Sequence, residues 1–190
     1  MNFDKNKGTF GYIAHRKKAE VIKTVIMFLI PLSLFLAGLI ATKSRLNVLT
    51  IIAVLGMLPA SKSAVLMIMY LKGHGITQED YALYAPCMKG MICSYDNIFT
   101  TYEKAYEIPA LVVRGGNICG ISAARYDKIH DLEKHIENCV RQEGYSVNVK
   151  FFDKKEAFLE RLKSISALSE SEKEEAADIA IRQVLFDITL

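Results

Sequence analysis

Two apolar runs lying close together constrain this chain more than any other feature. The first, Thr24 to Thr42, holds 19 residues without a charge, and at about 1.5 Å per residue a helix of that length crosses a hydrocarbon core roughly 30 Å thick. Lys43, Ser44, Arg45, Leu46 and Asn47 surround the gap. A second run then extends to Leu71, interrupted only by Lys62. The pattern predicts a transmembrane helical hairpin.

Two other readings of these runs fail on their residues. A secretory signal needs an apolar stretch of only about 7 to 15 residues and a small-residue cleavage site. Here the stretch is longer, Leu39, Ile40 and Ala41 make a poor site, and a second apolar run follows at once. Core helices of a soluble protein carry a polar stripe every three or four residues, and Val25 to Ile30, Leu32 and Leu34 to Leu36 leave no room for one.

Charge sets the expected orientation. Lys5, Lys7, Arg16, Lys17, Lys18 and Lys23 precede the first run against Asp4 and Glu20, whereas the short connection offers only Lys43 and Arg45. Positive residues stay on the cytoplasmic side. The expectation is therefore a basic cytoplasmic tail over 1–23, a hairpin over 24–72 in the lipid bilayer, and a cytoplasmic domain over 73–190, with both termini cytoplasmic. In that reducing compartment Cys87, Cys93, Cys119 and Cys139 are expected as thiols.

Lys62, flanked by Ser61 and Ser63 and preceded by Pro59, is the polar oddity of the second run. Two geometries fit it. A tilted helix from about Asn47 to Leu71 lets the ammonium snorkel to the inner interface, or the span ends near Pro59 and Ala64 to Tyr70 continues along the surface. A Ser–Lys pair can also act as nucleophile and base. Neither run holds an acid to pair with Lys62, so an interfacial or structural role is expected of Ser61, Lys62 and Ser63.

The remaining 118 residues suffice for one domain with a core of its own. Gly73 and Gly75, around His74, look like a hinge. Thr77 with Asp80, Asp153 with Glu156, and Ser169 or Ser171 with the Glu three residues on have capping-box spacing. Helical periodicity runs over Lys128–Glu143, Lys154–Leu168 and Glu172–Ile188, the last with Ala176, Ile179, Ala180, Val184 and Leu185 as its apolar face. Ile108–Val113 and Asn117–Ser122, joined by Arg114, Gly115 and Gly116, read as a β-hairpin. Tyr145–Phe152 alternates like a strand, and Met91–Tyr106 fits one long strand, a hairpin about Asp96 and Asn97, or in part a helix, with strand the favoured reading. The expected fold is an α+β or α/β domain, a mixed sheet of about four strands with helices, after the transmembrane hairpin.

The order α-β-β-β-α-β also occurs in restriction-endonuclease-like domains, which hold a divalent ion with a strand acid and an acidic-x-Lys triplet. That triplet is missing, and Asn117 to Ser122 carries no charge, so the order alone implies no kinship. Residues 73–190 carry 14 Lys and Arg against 19 Asp and Glu, a net of −5, while the first 72 residues have 10 against 2. A domain that neutralises phosphates is basic; no nucleic acid is expected.

Other constellations are weak. Asp131, His135 and Cys139 follow one helix flank without a CxxC or HxxxH beside them, and His130 and His135 are spaced too poorly to chelate. Arg114 to Asn117 is too short for a phosphate cradle. Glu103 with Glu107 and Glu133 with Glu137 have the spacing of a solvated helix face. No metal or cofactor is expected, no catalytic motif is found, and the catalytic residues, if there are any, are not identified by the sequence. Two functions lead: a membrane-anchored interaction or regulatory module that binds a protein partner or self-associates, and a membrane-tethered hydrolase or divergent nuclease-like enzyme using Asp96, Glu103 and Glu107; transport ranks behind both, because two spans make a pore only by oligomerising. Convergence of those acids in one pocket would favour the enzyme.

Overall fold

The computed structural model describes residues 7–43, 47–101, 104–122, 129–167 and 172–190. They form two compact units, Ile13–His74 and a second made of Met1–Tyr12 with Gly75–Leu190. The expectations placed on Ser44, Glu103, Ser169 and Ser171 lie outside the described residues.

The first unit is a helical hairpin of α1 (Tyr12–Thr42) and α2 (Val48–Lys72). Asn47 caps α2: its Oδ1 accepts the Thr50 N–H at 2.9 Å, and its Nδ2 donates to Thr42 Oγ1 at 3.0 Å. Small residues line the seam. Ala53 and Ala60 are buried, a Cβ on Gly56 would lie 3.3 Å from Pro31, and one on Gly38 would lie 2.9 Å from Leu49. Thr24 Oγ1 donates to the Ser63 carbonyl at 3.1 Å. Thr24, Pro31 and Gly38 thus face Ser63, Gly56 and Leu49, seven residues down one helix for seven up the other. Close approach of backbones over small side chains, with one interhelical hydroxyl bond, is how apolar helices pair where lipid offers no hydrophobic drive. Ile26, Leu29, Ile40, Ile51, Val54 and Leu58 are exposed on the outside. Both helices are long and apolar enough to cross a membrane, and only 17% of the most apolar window of each is buried, unlike a soluble core helix.

The second unit runs α3 (Gln78–Tyr84), β1 (Ile92–Thr100), β2 (Ala105–Arg114), β3 (Asn117–Ile121), α4 (Ile129–Gln142), β4 (Asn148–Phe152), α5 (Lys155–Ser166) and α6 (Glu172–Asp187). It is the expected α+β arrangement. The four strands lie in the order β1-β2-β3-β4, the first two pairings antiparallel and the last parallel. Leu132, Ile136 and Val140 of α4 and Ile181 and Leu185 of α6 pack on one face with Ile108, Leu111 and Ile118. Tyr84 of α3 and Phe158, Leu162 and Ile165 of α5 pack on the other with Ala110, Val112 and Cys119.

One point in the sheet departs from strict alternation. Tyr106 and Ile108 share a face with Leu111 and Val113, while Ala110 and Val112 take the other; on β1, Phe99 and Tyr95 are likewise divided. The reversal falls where Asp96 (φ +55°) stands opposite Pro109, between the pairs Tyr95–Ala110 and Asn97–Ile108. Proline has no N–H to give and a left-handed residue turns the chain, so both strands swap faces together without losing register.

Both sheet edges are covered, which removes the unpaired backbone that would template aggregation. Gly8 accepts the Tyr95 N–H at 2.8 Å, Leu190 donates to Ile98, and Thr189 bridges Phe99, all on β1. On β4, Glu133 Oε1 accepts the Phe151 N–H at 2.9 Å and Glu137 Oε1 the Val149 N–H at 3.3 Å. The Glu133–Glu137 pair therefore does not mark a solvated face, and Glu133 is only 4% exposed.

Two further local readings are corrected. Thr77 caps α3, accepting the Asp80 N–H at 3.1 Å, but α5 starts after Lys154 with no side-chain cap, so Asp153 does not serve. The buried face of α6 is Asp178, Ile181 and Leu185, with Ile179 48% exposed and Ala176 at the surface. A polar contact sets that rotation: Asp178 accepts the Gly115 and Gly116 N–H groups at 2.5 and 3.1 Å, and turning the helix to bury Ile179 would break both bonds.

Candidate functional site

Residues 7–11 form a strap that leads into α1, held on the second unit at its start. Lys7 Nζ donates to the Phe186 and Thr189 carbonyls at 2.5 and 2.9 Å, where α6 ends and its last carbonyls lack helical partners. Gly8 sits at φ +80° with Phe186 Cζ 2.6 Å and Ser94 Oγ 2.7 Å from where a Cβ would stand, so only glycine passes there. Phe10 then packs against Tyr81 with the rings tilted by 40° and centroids 4.5 Å apart, and Tyr81 meets Tyr95 edge-on at 5.1 Å.

Between strap, α3, β1 and the end of α6 lies a cavity of about 870 Å³. Phe10, Tyr81, Tyr95 and Phe186 supply aromatic surface, and Arg182, Gln183 and Asp187 supply polar groups. The Arg182 guanidinium lies 5.7 Å over the Phe186 ring, and Gln183 Nε2 donates to Asp187 Oδ1 at 3.4 Å. Tyr95 is buried, which together with the neighbouring Cys93 pushes its phenol upward from the ordinary tyrosine range. It stays protonated near neutrality.

The three polar residues expected at the membrane divide by role. Ser63 is buried in the seam with Thr24, Ser61 donates to the Met57 carbonyl of its own helix at 2.7 Å, and Lys62 is exposed on the outside. Continuing the hairpin register puts Lys62 level with Val25, just past Lys23. The ammonium stands where the charges of α1 end. Below it, Glu20 is buried between Arg16 and Lys23, at 3.5 and 3.3 Å, and Arg16 covers the Tyr70 ring at 5.8 Å.

The acids considered for catalysis meet backbone. Glu107 accepts the Gly75 N–H and Asp96 Oδ1 the Ile76 N–H, the latter at 2.7 Å, so both carboxylates converge on the segment entering α3. Of the two glycines read as a hinge, Gly75 packs closely there: a Cβ on it would lie 3.0 Å from Asp96. Glu133 holds His130 Nδ1 at 3.0 Å and Lys150 at 3.6 Å besides its amide, and His135 Nε2 lies 3.8 Å from Cys139 Sγ. No three His, Cys, Asp or Glu among the described residues are grouped to hold a metal ion. Burial pushes the Cys119 thiol upward despite Arg161 beside it, and likewise that of Cys139, so neither is an activated nucleophile.

No family model, no characterised protein and no solved structure matches the chain. Its chemistry is read from its own geometry.

The cavity residues were not singled out from the sequence. Lys7 and Phe10 lie about 170 residues from Arg182 and Asp187, and no local pattern joins them. The hairpin seam did leave a signal, the small residues Ala53, Gly56, Ala60 and Ser63 at alternating spacings of three and four.

Proposed function

We propose that this chain is a membrane-anchored interaction module, with the hairpin in the bilayer and the α+β domain on the cytoplasmic side presenting a surface to a protein partner or a second copy. The observation that carries the reading is the composition of the domain, which is built from residues on both sides of the hairpin. The strap bonds to β1 and to the end of α6, and the chain after α2 bonds to Asp96 and Glu107. An insertion whose two ends belong to one folded domain enters and leaves a membrane on the same side. The excess of Lys and Arg before the first run argues that this side is the cytoplasm.

Two experiments test it. A membrane-impermeant thiol reagent on intact cells is expected to label Ser44→Cys and to miss Cys87 and Cys93; the reverse overturns the orientation. For the module itself, Asp96→Asn and Glu107→Gln keep an oxygen for the Ile76 and Gly75 amides, so complementation of a deletion strain should survive in proportion to protein accumulated. Loss of complementation at full accumulation would favour the hydrolase, because Asp96 and Glu107 are the two acids the fold brings together.

A further inference from the structure

The cavity beside the strap has the size and the chemistry of a ligand site. Small-molecule pockets span about 300–1,000 Å³; this one measures about 870 Å³, is open to solvent on one side, and its wall is more polar than apolar, with four aromatic rings in it. Phe10, Tyr81 and Tyr95 form an unbroken ladder of rings along one side. Phe186 with its overlying Arg182 guanidinium faces the cavity from α6. Aromatic rings and guanidinium planes are the surfaces on which nucleobases stack.

The polar groups narrow the ligand further. Arg182 can only donate, Asp187 can only accept, and Gln183 does both; all three line the cavity from the last turns of α6. A purely apolar ligand would desolvate them without return. An anion would meet Asp187, and a simple cation would meet Arg182 and Lys7. A neutral flat ring with donors and acceptors on its edge satisfies the whole set.

We propose that this cavity binds a neutral planar heteroaromatic ligand of the purine type. The ring lies against the Phe10, Tyr81 and Tyr95 rings, Arg182 donates to a ring nitrogen or carbonyl, as arginine does to guanine, and Asp187 accepts from a ring N–H or exocyclic amine, as a carboxylate does from the amine of cytosine. Gly8 and Phe10 belong to the strap that continues into α1, so the ligand bears on the chain just before the hairpin. The site stands or falls independently of how the chain meets a membrane and of any protein partner.

The test is calorimetric titration of the full chain in lipid nanodiscs with guanosine and adenosine, empty nanodiscs serving as blank. Saturable binding of at least one nucleoside is expected, weakened about tenfold or more by Tyr81→Leu, and comparably by Arg182→Gln and by Asp187→Asn. The last two residues are partly or largely exposed, so those variants keep the fold and circular dichroism should not change. Binding of the neutral ligand should also resist added salt. Absence of saturable binding by either nucleoside, equal binding by Arg182→Gln and Asp187→Asn, or equal binding of toluene, which lacks an edge to read, would each overturn the proposal.

Discussion

Replacing Asp178 by Ala should destabilise the second unit. Asp178 is 1% exposed and its two oxygens hold the Gly115 and Gly116 amides at 2.5 and 3.1 Å. Hydrogen bonds to a charged group contribute about 1.5–3 kcal/mol each. Gly115 is exposed and its freed amide regains water, whereas the half-buried Gly116 regains less, so the net loss is about 2–4 kcal/mol. For a domain of this size each kcal/mol moves the melting temperature by several degrees, which puts the shift at about 10 °C. Asp178→Asn keeps an oxygen for one of the two amides but turns its NH2 toward the other, so it should recover only part of the loss. The assay is thermal unfolding followed by tyrosine near-ultraviolet circular dichroism, with hydrogen exchange at Gly115 and Gly116 as the local readout. A shift under about 2 °C with unchanged exchange at those amides would refute the assignment of α6's rotation to this carboxylate.

Gly8→Ala should detach the strap, since a left-handed alanine costs about 1–2 kcal/mol and its methyl would overlap Phe186 and Ser94; proteolysis near residue 10 should accelerate, and unchanged cleavage would contradict the packing. In alkaline titration followed by tyrosinate absorbance, Tyr84 should ionise late, its phenol pushed up to about 12 by burial and by the nearby Asp80 and Glu156 charges. The unfolded chain releases that proton near the ordinary value of 10.0, so stability is unaffected below pH 10 and falls as pH rises from there toward 12; a domain whose stability stays flat across that window would contradict the burial. Lys62→Leu should leave the protein carbonate-resistant in membranes and functional, because Lys62 is exposed and level with the charged end of α1; loss of function at normal accumulation would assign the ammonium a role.

The sequence by itself determined which segments are helix and which are strand, because that depends on local periodicity. Two apolar runs announced the helical hairpin, Thr77 announced the start of α3, and the glycines after Arg114 announced the β2–β3 turn. The order of helices and strands in the domain followed from the same patterns. Tertiary structure alone decided what depends on partners far along the chain. The face of α6 is fixed by Asp178 reaching a turn some sixty residues earlier, against the apolar pattern that would have buried Ile179. Glu133 and Glu137, spaced like a solvated face, cap the amides of an edge strand that forms after them. Glu107 and Asp96 accept the Gly75 and Ile76 amides ahead of α3. The strap and cavity join the two ends of the chain, and no spacing within either end could show it, because a carboxylate or a lysine carries the same local signal whether it meets water or a distant backbone amide or carbonyl.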